Sequence, residues 1–290
     1  MKSDREATIY AAAADEPQAD IFLADAASCE TRPAPHYTAS GVWLYRADSL
    51  ELLTSLPCDR VDLIFADPPY FLSNGGITCK SGRMAIVDKG EWDQSRGYAE
   101  DHEFNMKWLG ECRRILKPDG TIWVTGTYHN IYSIGYALHA LGYRILNDIA
   151  WYKVNPPPNL SCRYFTHATE TVLWAARSKK SKHKFHYETM KRMNDGKQMQ
   201  SMWQITPPTS REKRYGKHPT QKPEALLERI ILASTDEGDL VLDPFCGSGT
   251  TGVVCARRHR RFVGIDNDAA HLEVAARRIA DELRADGGGA

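Results

Sequence analysis

A parallel α/β sheet flanked by helices is what this 290-residue chain predicts, on three observations. Runs such as Val61–Ala66 are continuously apolar, the pattern of strands buried on both faces of a sheet. Such runs alternate with stretches of helical period, which implies parallel strands joined by right-handed crossovers. A glycine-rich turn between the strand at residues 240–242 and the following helix marks a ligand site at the carboxyl ends of the strands.

Taken in order, residues 1–38 are rich in Ala and Asp without clear period and read as a poorly ordered arm. The fold is expected to begin near Gly41, with a short strand at 42–45 and a helix opened by Asp48 or Ser49 as its cap. Strand 61–66 ends in Asp67-Pro68-Pro69-Tyr70. Residues 71–100, with Gly75, Gly76, Gly82 and Gly90, read as a long mobile loop. A helix over 103–116 stops at Lys117-Pro118-Asp119-Gly120, and a strand at 121–125 follows. A helix at 132–141, strands at 145–152 and 171–176, and a basic stretch come next. Helix 223–233, strand 240–242, helix 250–258, strand 261–265 and helix 269–283 complete the chain, apart from a Gly-rich tail at 285–290. No internal repeat is visible.

Composition sets the class. Hydrophobic residues at 42% and charged residues at 26% are those of a soluble globular protein. There is no apolar run of membrane-spanning length and no signal-peptide core, so a cytoplasmic location is expected. Seven cysteines, none in a Cys-x-x-Cys pair, suggest scattered thiols rather than a disulfide framework or a zinc site, and no metal is expected. The formal net charge of zero averages unlike regions. From Arg177 to Lys222 there are thirteen Lys or Arg against three acidic residues, the footprint of a polyanionic partner.

Two motifs carry chemistry. The turn Asp243-Pro244-Phe245-Cys246-Gly247-Ser248-Gly249-Thr250 places bare backbone and helix N–H groups where a ligand can approach. Asp266, at the end of the next strand, can take the hydroxyls of a ribose. The turn lacks the Gly-Lys-Ser/Thr ending of a phosphate-cradling loop and is not Gly-x-Gly-x-x-Gly, which disfavours ATP and NAD and leaves another nucleoside cofactor. Asp67-Pro68-Pro69-Tyr70 suits an exocyclic amine, whose lone pair is delocalised into the ring of a base. The Asp67 carboxylate and the Pro68 carbonyl can both accept its N–H groups and localise that pair. Pro69 stiffens the corner without adding a donor, and Tyr70 offers a face for an extruded base.

With these residues in view, the chain resembles the amino-methylating DNA methyltransferases of the permuted β group, in which the Asp-Pro-Pro-Tyr region comes first and the cofactor turn last. The resemblance spans about residues 41–283. It implies a circularly permuted, Rossmann-like class I methyltransferase sheet with an inserted basic target-recognition segment. S-adenosyl-L-methionine is then the cofactor, leaving as S-adenosyl-L-homocysteine, and the reaction is in-line transfer with no metal. The catalytic and cofactor-binding domain falls at 39–154 and 217–284, and the DNA-binding insertion at 155–216. Asp67, Pro68, Pro69 and Tyr70 are the implied catalytic residues. Asp48 meets the cofactor's adenine, while His218, Thr220, Gln221 and Lys222 help enclose its methionine arm. Asp67, Asp243, Phe245, Cys246, Gly247, Ser248, Gly249, Thr250 and Asp266 line the rest.

Trp151 and Lys153 match a stretch that lines the flipped-base pocket, and Arg163, Lys197, Gln198 and Arg211 are candidates for DNA contact. The runs 71–76, 155–167 and 194–199 further resemble the second adenine methyltransferase of GATC-specific restriction systems, which can act on single strands. That likeness implies methylation of adenine N6 in GATC, on double- or single-stranded DNA, and allows for a homodimer and a cognate restriction endonuclease. Cytosine N4 is the first alternative, though its methylating enzymes often carry Ser in place of Asp67. A protein glutamine methyltransferase, which typically reads Asn-Pro-Pro-Tyr, is the second.

Overall fold

The computed structural model describes residues 33–73, 77–80, 83–86, 93–216 and 219–287. The chain enters through β1 (Tyr37–Ala39), which pairs antiparallel with β2 (Val42–Arg46), so the fold begins a few residues before Gly41. Helix α1 (Ser49–Ser55) is capped by Asp48, whose carboxylate accepts the Glu51 N–H at 3.0 Å. Strand β3 (Val61–Ala66) follows as expected. The span 71–100, expected to be a loop, instead contains an antiparallel hairpin of β4 (Ile77–Lys80) and β5 (Arg83–Ile86) and the start of α2 (Tyr98–Ile115).

Strand β6 (Leu116–Gly126) runs alongside β3, helix α3 (Ile131–Ala140) packs on the sheet, and β7 (Arg144–Tyr152) and β8 (Thr169–Ala176) form an antiparallel pair. The basic stretch holds α4 (Tyr187–Arg192) and β9 (Met202–Gln204), neither of which its sequence announced. Helix α5 (Glu224–Ser234), β10 (Leu240–Asp243), α6 (Thr250–Arg257), β11 (Arg261–Asp266) and α7 (Ala269–Gly287) close the fold.

Nine strands form one sheet in the order β1-β2-β11-β10-β3-β6-β8-β7-β9. The run from β2 to β6 is parallel, as expected. The sheet as a whole is mixed, because β8 runs antiparallel to both β6 and β7. Strands β8 and β9 and helix α4 all come from residues 155–216, so that span is partly built into the sheet and is not a separate body.

Alternation along the strands fills two cores. Leu63 and Phe65 face a layer with residues of α5, α6 and α7, while Val61, Ile64 and Ala66 face one with residues of α1, α2 and α3. Both layers are sealed by fully buried large side chains, such as Phe262 in the first and Trp108 in the second. The carboxyl ends of β3, β10 and β11 therefore lie side by side, and Asp67, Asp243 and Asp266 stand at those ends.

Candidate active site

Two adjoining recesses open at this edge and share Asp67, Thr220, Phe245 and Gly247. The wider encloses about 1060 Å³ and is lined further by Asp48, Ser49, Pro69, Phe104, Asp266 and His271. The narrower, of about 300 Å³, reaches Gln221, Lys222, Asp243, Cys246, Ser248 and Thr250.

The turn after β10 is held by its own residues. Asp243 accepts from the Phe245 N–H at 3.1 Å and the Thr251 hydroxyl at 2.5 Å. Burial pushes its carboxyl up to about 7. The Cys246 N–H donates to the Ile265 carbonyl at 2.9 Å, which fastens the turn to β11. Asp266 accepts from the Gly247 N–H at 2.9 Å with one oxygen, and its other accepts the Asp268 N–H at 2.9 Å with His271 Nδ1 3.4 Å away. Hydrogen bonding to Asp266 raises the His271 imidazole above its ordinary value.

Gly247 is left-handed at φ +49° and faces the cleft. Gly249, also left-handed at φ +73°, does not line it: a Cβ there would lie 2.6 Å from Ala275 Cβ on α7. Its missing side chain admits a helix, not a ligand. Arg278, buried on α7, supports the same turn from behind, donating to the Ser248 carbonyl at 2.8 Å and the Thr250 hydroxyl at 3.0 Å.

The cleft fits a nucleoside that carries an amino-acid arm. Asp266 at one end suits ribose hydroxyls, and Phe245, edge-on to Trp108 at 5.5 Å, supplies an aromatic wall. In the narrow recess the buried Oε1 of Gln221 has no hydrogen-bond partner among the described residues, an acceptor suited to the arm's ammonium. Its Nε2 donates to the Glu212 carbonyl at 2.9 Å and fixes the side chain. Asp48 reaches the wide recess while also capping α1. His218 lies outside the described residues.

Asp67 stands where the two recesses meet. Its Oδ1 accepts from the hydroxyls of Tyr70 at 2.8 Å and Thr125 at 2.5 Å, and its Oδ2 from the Lys222 ammonium at 2.5 Å. Burial works against the charge of Lys222, but Asp67 and Glu170 outweigh it and hold the ammonium above the ordinary lysine value. The Pro69 carbonyl accepts from Asn130 at 3.1 Å, whereas nothing among the described residues donates to the Pro68 carbonyl. Tyr70 is not an open platform. It is 5% exposed, with Lys222 Nζ 5.2 Å from its ring centre and its hydroxyl oxygen 3.1 Å from Glu170 Oε2.

The corner is tied down from below by Asp93, which is fully buried. Its carboxylate accepts the N–H groups of Tyr70, Phe71 and Leu72 and the Ser73 hydroxyl, at 2.8, 2.9, 3.1 and 3.0 Å. Asp93 lies in an aperiodic stretch, and no sequence signal singled it out. Glu170 could have been found, as the lone charged residue on a strand that is apolar from Val172 onward.

Of the DNA candidates, Trp151 is core: it is buried and its indole N–H donates to the Ile205 carbonyl at 2.9 Å. Lys153 joins the Asp67 corner through its ion pair with Glu170. Arg163, Lys197 and Gln198 are exposed. Arg211, also exposed, lines a separate cleft with Glu224, Arg257 and Arg278 that shares no lining residue with the Asp67 recesses. Among the described residues no cluster of three potential metal ligands occurs. Nor is any helix there long and apolar enough to cross a membrane.

A DNA methylase family model matches residues 61–277. The chain is 54% identical over 249 residues to the Type II methyltransferase M2.DpnII of Streptococcus pneumoniae, covering 86% of this chain and 93% of that one. It is 46% identical over 235 residues to M2.MboI of Moraxella bovis, covering 81% and 86%. Among solved structures, a complex of M1.HpyAVI with SAM superposes at a TM-score of 0.59 with 27% identity, over 82% of this chain and 99% of that one. The PvuII cytosine-N4-specific DNA methyltransferase superposes at 0.67 with 23% identity, over 88% and 96%, a likeness of fold alone. With its β3 corner and β10 turn opening on one cleft, the chain belongs to the N6/N4 DNA methylase family.

Proposed function

We propose that this enzyme transfers a methyl group from S-adenosyl-L-methionine to the N6 amine of adenine in DNA, within GATC. The observation that carries the reading is the shared cleft: Asp67 and Pro69 line the same recess as Phe245 and Asp266. When bound, the cofactor supplies an electrophilic sulfonium methyl. Asp266 orients the ribose, Phe245 walls the cleft, and Gln221 and the N-terminus of α6 receive the amino-acid arm.

Asp67 and the Pro68 carbonyl accept the two amine hydrogens and turn the nitrogen lone pair toward the methyl. As positive charge develops on that nitrogen, the Asp67 carboxylate stabilises it. The protein's contribution is positioning and a prearranged negative charge, with no covalent nucleophile. The preference for adenine rests on Asp67 at the head of the motif, and GATC on the resemblance of the runs 71–76, 155–167 and 194–199. Loop 153–168 and the basic stretch from Arg177 supply the DNA-facing surface.

Asp67→Asn keeps the shape of the corner and removes its charge. It is expected to slow transfer by about a thousandfold or more, with cofactor affinity by calorimetry within about fivefold of the parent. An Asp67→Asn enzyme that turns over normally would end the assignment. Mass spectrometry of digested product DNA separates the two bases, and N4-methylcytosine in place of N6-methyladenine sinks the adenine reading.

A further inference from the structure

We propose that Glu170 is a positioning residue that receives the Lys222 ammonium when Asp67 turns to the target amine. The inference rests on the reading of Asp67 as the amine's acceptor. In the structure Oδ2 of Asp67 is held by Lys222 at 2.5 Å, and Oδ1 already serves the hydroxyls of Tyr70 and Thr125. An ammonium at that oxygen competes with the incoming N–H for the same acceptor. It also repels the charge that grows on the amine nitrogen during transfer, so Lys222 has to leave Asp67.

Lys222 cannot simply swing into water. Its side chain is 7% exposed, and an unpaired ammonium at that depth is strongly disfavoured. A second carboxylate stands within reach, because Glu170 Oε2 lies 3.9 Å from Nζ. Glu170 comes from β8, opposite Trp151 of β7, and its other oxygen is anchored by Lys153. Two carboxylates and two ammonium groups thus form a charge-balanced set, with Lys222 and Glu170 at its buried centre and Lys153 toward the surface.

Tyr70 helps Asp67 keep a donor on Oδ1 while Lys222 changes partner. Its hydroxyl lies 2.8 Å from Asp67 Oδ1 and 3.1 Å from Glu170 Oε2, but a phenol has one proton to donate. With Lys222 on Asp67, the shorter contact gives that proton to Asp67 Oδ1. With Lys222 on Glu170, the proton stays on Oδ1, and Oδ2 opens to the amine. Each carboxylate keeps a donor in both arrangements, because Lys153 stays on Glu170 and the hydroxyls of Tyr70 and Thr125 stay on Asp67.

Glu170→Gln retains the shape and a hydrogen-bond acceptor but removes the charge that takes Lys222. Single-turnover methyl transfer at saturating cofactor is expected to slow by about thirtyfold, with cofactor affinity by calorimetry within about threefold. Adding Lys222→Met to that variant removes the ammonium that has to relocate and is expected to restore about tenfold of the loss, a rescue that a merely structural Glu170 would not give. A Glu170→Gln enzyme at the parent rate, or a double variant no faster than the single one, overturns the proposal.

The unmodified enzyme gives an independent test in a structure with target DNA and S-adenosyl-L-homocysteine. Lys222 Nζ is expected on Glu170, whereas Lys222 still on Asp67, or on the cofactor product, overturns the hand-over even if the variants do not fold. Asp67→Asn separates the two readings. If that variant is active, the acceptor role itself is removed, while an inactive one beside a normal Glu170→Gln enzyme removes only the role of Glu170.

Discussion

Asp67 and Asp243 are carboxylates at neighbouring strand ends, yet their surroundings give them opposite characters. Asp67 has a cation on one oxygen and two hydroxyls on the other. Asp243 has one hydroxyl and one backbone N–H, and burial pushes its carboxyl up to about 7. In the unfolded chain the same group titrates near 4. Between those values the folded protein binds the extra proton, so the stability Asp243 contributes is complete at low pH and lost as pH rises through about 7. The unfolding free energy of the parent, measured by urea titration against Asp243→Asn, is therefore expected to fall by about 1 kcal/mol per pH unit from pH 5 to 7 and to level off above that. A difference that stays constant over this range would mean that Asp243 is ionised throughout in the folded protein.

At the level of elements, the parallel strands β2, β3, β10 and β11 were legible because continuous apolar runs ended in acidic or glycine-rich turns. The direction of β8 was not read, although the sequence held a clue: no helical period lies between Tyr152 and Thr169, so no crossover helix could make β7 and β8 parallel. The hairpin β4–β5 and helix α4 escaped because short elements are set by tertiary pairing more than by periodicity.

The glycine-rich turn was located correctly, but Gly249 was assigned to the cofactor when its bare Cα faces α7. A pair of substitutions separates the two costs at such a site. Gly238→Ala meets only the penalty of a left-handed backbone, since φ there is +79° and nothing lies within 4 Å of the added Cβ. Gly249→Ala meets that penalty and a collision with the backbone and side chain of Ala275. The Gly249 variant is expected to unfold about 5 °C or more below the Gly238 variant in calorimetry. Equal melting temperatures would show that α7 yields freely and that the turn is not clamped by it.

At the scale of the whole molecule the question is where the basic surplus goes. Thirteen Lys or Arg fall between Arg177 and Lys222, but among the described residues four of them are paired with acids from elsewhere in the chain: Arg177 with Asp59, Lys184 with Asp236 and Asp239, Arg214 with Asp281, and Lys222 with Asp67. Composition alone could not reveal this, because sequence proximity says nothing about which acids the fold brings across. The exposed remainder, including Lys180, Arg192, Lys197 and Arg211, is what a polyanion can meet. If about four phosphates are neutralised, counterion release lowers DNA affinity about a hundredfold between 50 and 200 mM salt. Reversing Lys197 and Arg211 to Glu is expected to flatten the slope of log affinity against log salt, whereas Arg177→Ala, at a cation already paired with Asp59, leaves that slope unchanged. Fluorescence anisotropy of a labelled GATC duplex over a salt series reads both. An affinity indifferent to ionic strength would move the DNA surface away from the basic stretch and leave the cleft at the ends of β3 and β11 to be reached from another side.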